Sequence, residues 1–242
     1  MTLHRPLAAL LLLSTIPVFA QKPAATPAKA PAPATKPVRV RAKLDGFDLA
    51  PTSGKAPNQI GGASRGIGTL ALYAPRVGKS YTSTPTIFWS TDDPQAEFIF
   101  TLSPSTPGTQ WSYKANVTGN HFTYPADAPP LKPGETYTFT VQPAIDMMGG
   151  PVTASITILS APERAAVESA LAASTGPNSA QQQAQIYVDH RLWYDALATY
   201  NTLIAANPTQ TDLYLARATL YDQLPQTQRL ADEDVAKSRP QP

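Results

Sequence analysis

The chain has no cysteine among its 242 residues and only three histidines. The lack of cysteine excludes disulfide bonds, a thiol nucleophile and a cysteine-ligated metal site. His4 lies near the start of the chain, and His121 and His190 are too few for a multi-histidine metal centre. We therefore predict no metal and no cofactor, and a fold stabilised by burial of apolar side chains alone.

Long apolar runs are also lacking, apart from Leu7–Leu13 near the start. This run is well short of the roughly 20 residues that span a bilayer. His4 and Arg5 precede it, and Val18-Phe19-Ala20 follows it with small residues at the two positions that a signal peptidase reads. We predict that residues 1–20 are a signal peptide. The mature chain is then exported, to the periplasm or outside the cell, with no transmembrane segment after processing.

Residues 21–66 are rich in proline, alanine and lysine and poor in apolar residues. Such a segment cannot bury enough surface to offset its chain entropy, so we predict a disordered linker, of which residues 21 to about 57 are mobile and dispensable for folding. Residues 21–65 carry eight basic and two acidic side chains, whereas residues 66–242 carry ten basic and fifteen acidic ones. The basic linker suits contact with anionic lipid or cell-wall polymer, although a solubilising spacer is the stronger interpretation. Nucleic acid is not expected as a partner, because aromatic residues do not alternate with these charges.

Residues 67–160 show the period-two alternation of half-buried strands. The pattern is clearest at Thr136–Val141 and Val152–Ile158, where apolar residues alternate with threonine and serine. Turn signals separate these and other short stretches, and about seven strands in a segment of this length are typical of an antiparallel β-sandwich. The remaining predicted strands are at 68–73, 86–90, 98–102, 111–117 and 121–124.

Two short segments resemble parts of immunoglobulin and fibronectin type III sandwiches. Leu131–Tyr137 is similar to the corner at which a tyrosine hydrogen-bonds back across a turn, and Pro85–Trp89 is similar to the strand with the core tryptophan. The resemblance implies an immunoglobulin/fibronectin-III-like sandwich over residues 67–160. It implies nothing about activity.

Residues 161–242 are predicted to be helical, and the whole fold is therefore α+β. Ser160, Pro162 and Glu163 form a helix-start signal, with a polar cap, a proline in the first turn and a glutamate three residues on. Thr175-Gly176-Pro177 ends this helix. Four more helices are predicted, at 179–189, 192–206, 211–223 and 226–236.

An internal repeat relates these helices. Ala184 and Tyr187 recur as Ala218 and Tyr221, an offset of 34 residues, which is the period of tetratricopeptide (TPR) helix pairs. We predict a TPR-like region in which Trp193 and Tyr200 hold the helical pair together. Any partner site then lies on the opposite, more polar helix face.

One motif matches a nucleotide-binding turn. Gly62-Ala63-Ser64-Arg65-Gly66-Ile67-Gly68 reads like the cofactor turn of short-chain dehydrogenases, which works only between a strand and a helix. Lys55-Ala56-Pro57-Asn58 stands where the strand should be, and Pro75 forbids a long helix after it. No tyrosine has a lysine four residues later, so that family's catalytic pair is absent. We interpret the match as coincidental.

Other candidates for chemistry have structural explanations. Asp92-Asp93 precedes a proline and is typical of a turn, Asp232-Glu233-Asp234 is expected to be a solvated face, and His190 ends a predicted helix. No Gly-x-Ser-x-Gly nucleophile turn or calcium loop is present. Three aromatic residues of the sandwich could form a glycan platform, although core packing is the stronger interpretation; they are Trp89, Trp111 and Tyr113.

Three blocks together resemble a bacterial exported family known as domain of unknown function 928. They are Gly61–Gly66, Pro85–Trp89 and Leu192–Ala198, and the resemblance covers about residues 58–224. The family implies no activity, substrate or cofactor. Gly62, Arg65 and Trp193 are then family-motif residues of unknown role.

The sequence favours an exported, non-enzymatic interaction or scaffold module of the cell envelope with an unknown protein partner. The alternative is a glycan- or cell-wall-binding domain or an envelope hydrolase. Convergent carboxylates in a cleft or a row of exposed aromatic residues would favour the alternative, and a groove on the helices would favour the module.

We expect no binding of nicotinamide nucleotides, because the Gly62–Gly68 match lacks its strand, its helix and the catalytic pair. Calorimetric titration of the mature chain with NAD and NADP at millimolar concentration should be flat. A saturable micromolar isotherm would contradict this interpretation.

Overall fold

The computed structural model describes Phe47, residues 70–145 and residues 150–239. These residues belong to one compact unit, residues 41–242. The predicted signal peptide, Gly62 and Arg65 lie outside the described residues, as does the linker apart from Phe47.

The described chain forms two sheets. One has five strands in the order β1-β7-β6-β3-β4, and the other pairs β2 with β5. The strands are β1 (Val77–Ser80), β2 (Thr86–Phe88), β3 (Glu97–Pro104), β4 (Tyr113–Thr118), β5 (His121–Thr123), β6 (Thr136–Pro143) and β7 (Val152–Ile158).

Five helices follow the strands and agree closely with the predicted ones, so the α+β class is confirmed. They are α1 (Ala161–Ala173), α2 (Ser179–Asp189), α3 (Trp193–Ala206), α4 (Thr211–Tyr221) and α5 (Gln228–Lys237), with a 3-10 turn at Pro225–Thr227 before the last. At the start of α1 the Glu163 carboxylate accepts the backbone N–H of Ser160, as the capping signal predicts.

The alternating residues of the long strands form the core between the two sheets. Phe98, Phe100 and Leu102 of β3 are buried, and so is Phe139 of β6 beside them. The rings of Phe100 and Phe122 lie 4.3 Å apart, centre to centre, which brings β3 of the large sheet against β5 of the small one. The period-two pattern therefore identified the buried faces correctly.

The tyrosine corner is present. The Tyr137 hydroxyl accepts the backbone N–H of Lys132 at 2.8 Å and donates to the Glu135 carboxylate at 3.0 Å. Its ring is buried. This bond ties the turn before β6 to the strand itself, as the resemblance of Leu131–Tyr137 implies.

The prediction of a wholly antiparallel sandwich is wrong, because β1 runs parallel to β7. The predicted strand at 68–73 is represented in the described residues by one isolated bridge, between Leu72 and Trp89. The missed strand, β1, has no alternating pattern because a helix covers it. A Cβ at Gly78 would lie 2.8 Å from the Tyr194 ring and 2.7 Å from Pro75, so only glycine allows α3 to approach this closely.

The sandwich and the helices share one hydrophobic core. The Tyr194 ring of α3 meets the Phe139 ring of β6 edge-on, at 6.2 Å between centres. The Trp193 indole donates to the carbonyl of Tyr73 at 2.8 Å, and the Gln226 amide donates to that of Ala74 at 2.8 Å. The helices thus pack on the sandwich through α3 and the turn that precedes α5.

Trp193→Ala should lower the free energy of unfolding by about 3–5 kcal/mol, because it empties a fully buried site and removes a hydrogen bond. Denaturant unfolding beside the wild type measures this loss. Leu215→Ala is the matched control, because Leu215 is 52% exposed and its truncation should change stability by less than about 0.5 kcal/mol. A loss below about 1 kcal/mol at Trp193 would show that its environment is not a packed core.

Candidate functional site

The candidate site is a groove of about 590 Å³ bounded by α2, α3 and α4. This volume lies within the range of ligand pockets in proteins. Its floor is apolar and its rim is polar. The floor residues are Phe47, Val188, Tyr200, Ala216 and Leu220, and the rim residues are Gln185, Asp189, Arg191, Thr219 and Gln223.

The spacing of the lining residues explains how α2 and α4 form the two walls of the groove. Lining residues on α2 follow the spacing i, i+3, i+4, as do those on α4, so each set lies on one helix face. The 34-residue offset relates Gln185 to Thr219 and Asp189 to Gln223. Residues that lie 34 positions apart therefore face the same groove.

Phe47 belongs to the inner end of this groove. It is 3% exposed, and its ring meets that of Trp193 edge-on with 5.3 Å between centres. The burial of Phe47 disagrees with a disordered linker over residues 21–66 at this residue, whereas the dispensability of residues 21 to about 57 for folding stays a prediction. Phe47 is the only aromatic residue in that range, so it creates no periodic signal from which burial could be predicted.

Arg191, at the rim, has a strained backbone. It is the one non-glycine residue with positive φ in the described chain, at 59°. Its N–H donates to the Val188 carbonyl at 2.9 Å, and the N–H of Leu192 donates to the Tyr187 carbonyl at 2.8 Å. These two bonds form a Schellman motif, whose left-handed position favours glycine. The fold alone therefore does not account for an arginine here.

Asp195 fixes the position of the groove relative to the sandwich. Its carboxylate accepts the backbone N–H of Tyr81 at 2.8 Å, the N–H of Thr82 at 3.0 Å and the Ser80 hydroxyl at 3.2 Å. Burial raises the pKa of this carboxyl from 3.8 to about 6, while the three hydrogen bonds oppose the rise. Asp195 thereby ties the first turn of α3 to the end of β1.

A buried ion pair supports the α4 wall from behind. Arg217 donates to both carboxylate oxygens of Asp234 at 2.7 and 2.8 Å, and to the Asn201 amide oxygen at 2.6 Å. The prediction that Asp232-Glu233-Asp234 is a solvated face is wrong at Asp234, which is 2% exposed. Its partner, Arg217, lies 17 residues earlier on another helix, so the local pattern of charges does not predict the ion pair.

The residues considered for chemistry do not converge in the described ranges. Asp93 accepts the backbone N–H of Gln95 in the predicted turn. His121 lies exposed on β5 beside the Phe88 ring, and His190 caps the end of α2. No group of three possible metal ligands occurs in Phe47, 70–145 and 150–239. The geometry of the groove suits binding of a ligand by shape, hydrogen bonds and charge.

Of the three family-motif residues, Trp193 is fully buried behind Phe47, whereas Gly62 and Arg65 lie outside the described residues. The sequence reasoning missed the importance of Phe47, Arg191 and Asp195. Asp195 alone had a local signal, because it interrupts the apolar run Leu192–Leu197 in the first turn of a helix.

Comparison with known proteins gives one family. The family model described as Domain of Unknown Function (DUF928) matches residues 60–234. No curated protein matches the chain. A solved structure of the fn3 domain of human collagen alpha-1(XX) chain aligns with 21% identity over 53% of this chain and 96% of that domain, with a TM-score of 0.27. None of the helices in the described ranges combines the length and hydropathy needed to cross a bilayer.

Asp195→Asn should be destabilising most strongly at low pH. The raised pKa of Asp195 means that its carboxyl binds a proton more tightly in the folded state than in the unfolded state. The resulting contribution to the free energy of unfolding is fully present below about pH 3.8 and is lost as the pH rises through about 6. The stability gap between wild type and variant should therefore narrow by up to about 3 kcal/mol between pH 4 and pH 7.

Denaturant unfolding at pH 4, 5, 6 and 7 measures this gap. Asp127→Asn, at an exposed aspartate, is the control and should show no such narrowing. A gap that widens with pH would show that the hydrogen bonds outweigh burial and hold the pKa of Asp195 below its usual value.

Proposed function

The chain belongs to the Domain of Unknown Function (DUF928) family, and we propose that it is a non-enzymatic protein-interaction or scaffold module. The observation that carries the proposal is the groove between α2 and α4, with its apolar floor and hydrogen-bonding rim. Protein ligands are commonly recognised by such a combination of an apolar anchor site and a polar rim.

We further propose that the helical part is a TPR-like array. The main support is the 34-residue offset, which relates Gln185 to Thr219 across the groove. A second observation is that Ala184 and Ala218 are both fully buried, as small residues at helix contacts of a repeat must be. The sandwich in this proposal is immunoglobulin/fibronectin-III-like, supported by the corner at Tyr137. It serves as the base that orients the helices.

The proposed location is the bacterial cell envelope, in the periplasm or outside the cell. Residues 1–20 support export because they combine basic residues, a short apolar run and a small-residue cleavage signal. The basic segment before residue 66 supports a secondary contact with anionic cell-wall polymer or lipid.

The alternative, a glycan-binding domain or an envelope hydrolase, has less support. Trp89 is fully buried and is thus not part of an exposed platform. Trp111 packs edge-on against Tyr137, and Tyr113 packs against Tyr124. These contacts give the aromatic residues a role in packing the sandwich.

Site-specific photo-crosslinking in the native host tests the proposed function. A photoreactive residue at the exposed rim position Thr219 should form a defined adduct with another protein, because this position borders the groove. The same residue at Glu168, exposed on α1 away from the groove, is the matched control and should form none.

The protein in the adduct is then purified and titrated against the full chain. Saturable binding that is lost when Ala216→Trp fills the groove supports the proposal. Adducts of equal intensity at both positions, or binding that is insensitive to Ala216→Trp, would contradict it.

A further inference from the structure

We infer that the groove between α2 and α4 binds an extended peptide in which an aromatic residue lies next to a carboxylate, and that the chain's own Phe47 occupies the aromatic position in cis. The inference rests on the proposed function, because it specifies the ligand of the same groove. Three independent features of the groove carry it: the aromatic subsite, the strained arginine and the polar rim.

The aromatic subsite is already filled by a side chain from outside the helices. Phe47 precedes the first strand, yet it lies beside Trp193 of α3 with only 3% of its surface exposed. The floor continues beyond Phe47 through Val188, Ala216 and Leu220. Because the cavity remains open beside Phe47, the groove has room for more of a peptide than one aromatic ring.

Arg191 supplies a positive charge at the rim of the groove. The left-handed backbone at this position would be unstrained with glycine, so the arginine side chain costs stability where it stands. In the described part of the chain the Arg191 guanidinium makes no ion pair, unlike those of Arg217 and Arg229. A guanidinium at the rim suits bidentate binding of a carboxylate.

Asp189 carries a negative charge on the same rim. Its carboxylate accepts the Gln185 amide N–H at 2.8 Å, so it is held on α2. Across the groove, the Gln223 amide donates to the Thr219 carbonyl at 3.0 Å. Two glutamine side chains fixed in this way can hydrogen-bond the backbone of an extended peptide, while Arg191 attracts the carboxylate of the peptide and Asp189 repels it.

The sequence around Phe47 has the chemistry that this arrangement would recognise. Phe47 stands between Asp45 and Asp48 in the segment Lys43-Leu44-Asp45-Gly46-Phe47-Asp48-Leu49-Ala50. Phe47 alone of this segment belongs to the described residues. A partner with an aromatic residue beside a carboxylate would therefore compete with Phe47 for the same subsite.

The test uses the full mature chain and a dye-labelled peptide of residues 43–50, with fluorescence anisotropy as the readout. Phe47→Ala should bind the peptide at least about tenfold more tightly than the wild type, because the cis competitor is removed. A peptide in which Phe47 is replaced by Ala should not bind. Raising the salt concentration should weaken binding, because the contact with Arg191 is exposed.

Arg191→Gly separates ligand binding from folding. It should raise the midpoint of thermal unfolding by a few degrees, because glycine relieves the strain, and it should weaken peptide binding at least about tenfold in the Phe47→Ala background. Asp189→Asn should strengthen binding, because it removes a like charge from the rim. Arg239→Gly removes the same charge as Arg191→Gly from an exposed position after α5 and should leave binding unchanged.

Several results would overturn the inference: no binding to Phe47→Ala at 1 mM peptide, equal affinity in wild type and Phe47→Ala, or equal effects of Arg191→Gly and Arg239→Gly. If Phe47→Ala does not fold, Phe47→Leu takes its place, because it keeps an apolar side chain but removes the aromatic ring, and absence of binding to Phe47→Leu at 1 mM would also overturn the inference. Sedimentation of the wild type as a dimer that Phe47→Ala converts to monomers would contradict occupancy in cis.

Failure of this inference is distinguishable from failure of the proposed function. Groove-specific crosslinks at Thr219 together with no peptide binding would leave an interaction module with a different ligand. Peptide binding without crosslinks in the native host would support the ligand chemistry and contradict the proposed role in that host.

Discussion

The packing of the helices on the sandwich depends on the carboxylate of Asp195. It lies buried at the end of β1 and accepts hydrogen bonds from two backbone N–H groups and the Ser80 hydroxyl. A buried polar group is tolerable only when its hydrogen bonds are made, so each partner restricts the position of the others. The bonds join the first turn of α3 to the loop after β1. Since α2 and α4 pack on α3, the orientation of the groove follows from this junction.

Neighbouring contacts also hold α3 and α4 in position. The glycine at position 78 lets the Tyr194 ring approach the sheet, and Trp193, one residue earlier on α3, donates to a backbone carbonyl before β1. On the far side, the ion pair of Arg217 with Asp234 holds α4 against α5. The groove is thus built on rigid elements, while its rim includes a strained arginine in the loop between α2 and α3. The proposed binding role of the groove would account for the strained backbone at Arg191.

Local periodicity accounts for the parts that could be predicted. The alternation in β3, β6 and β7 predicted their buried faces, and Leu131–Tyr137 predicted the hydrogen bond of the Tyr137 hydroxyl across the turn. The missed features lacked a local pattern. Strand β1 is four residues long and contains a glycine that only its contact with α3 explains, and Phe47 is a single aromatic residue in a proline- and alanine-rich range.

The α+β class, the helix boundaries, the faces of the long strands and the family resemblance could all be predicted from the sequence, because each depends on residues within a few positions of one another. Tertiary structure alone decided the parallel pairing of β1 with β7, the burial of Asp234 and the place of Phe47 beside Trp193. It also brought Asp195 to the end of β1, about 115 residues away along the chain. Such contacts depend on which surfaces meet after the chain has collapsed, and burial, hydrogen bonding and charge pairing between distant segments leave no periodic trace in the sequence.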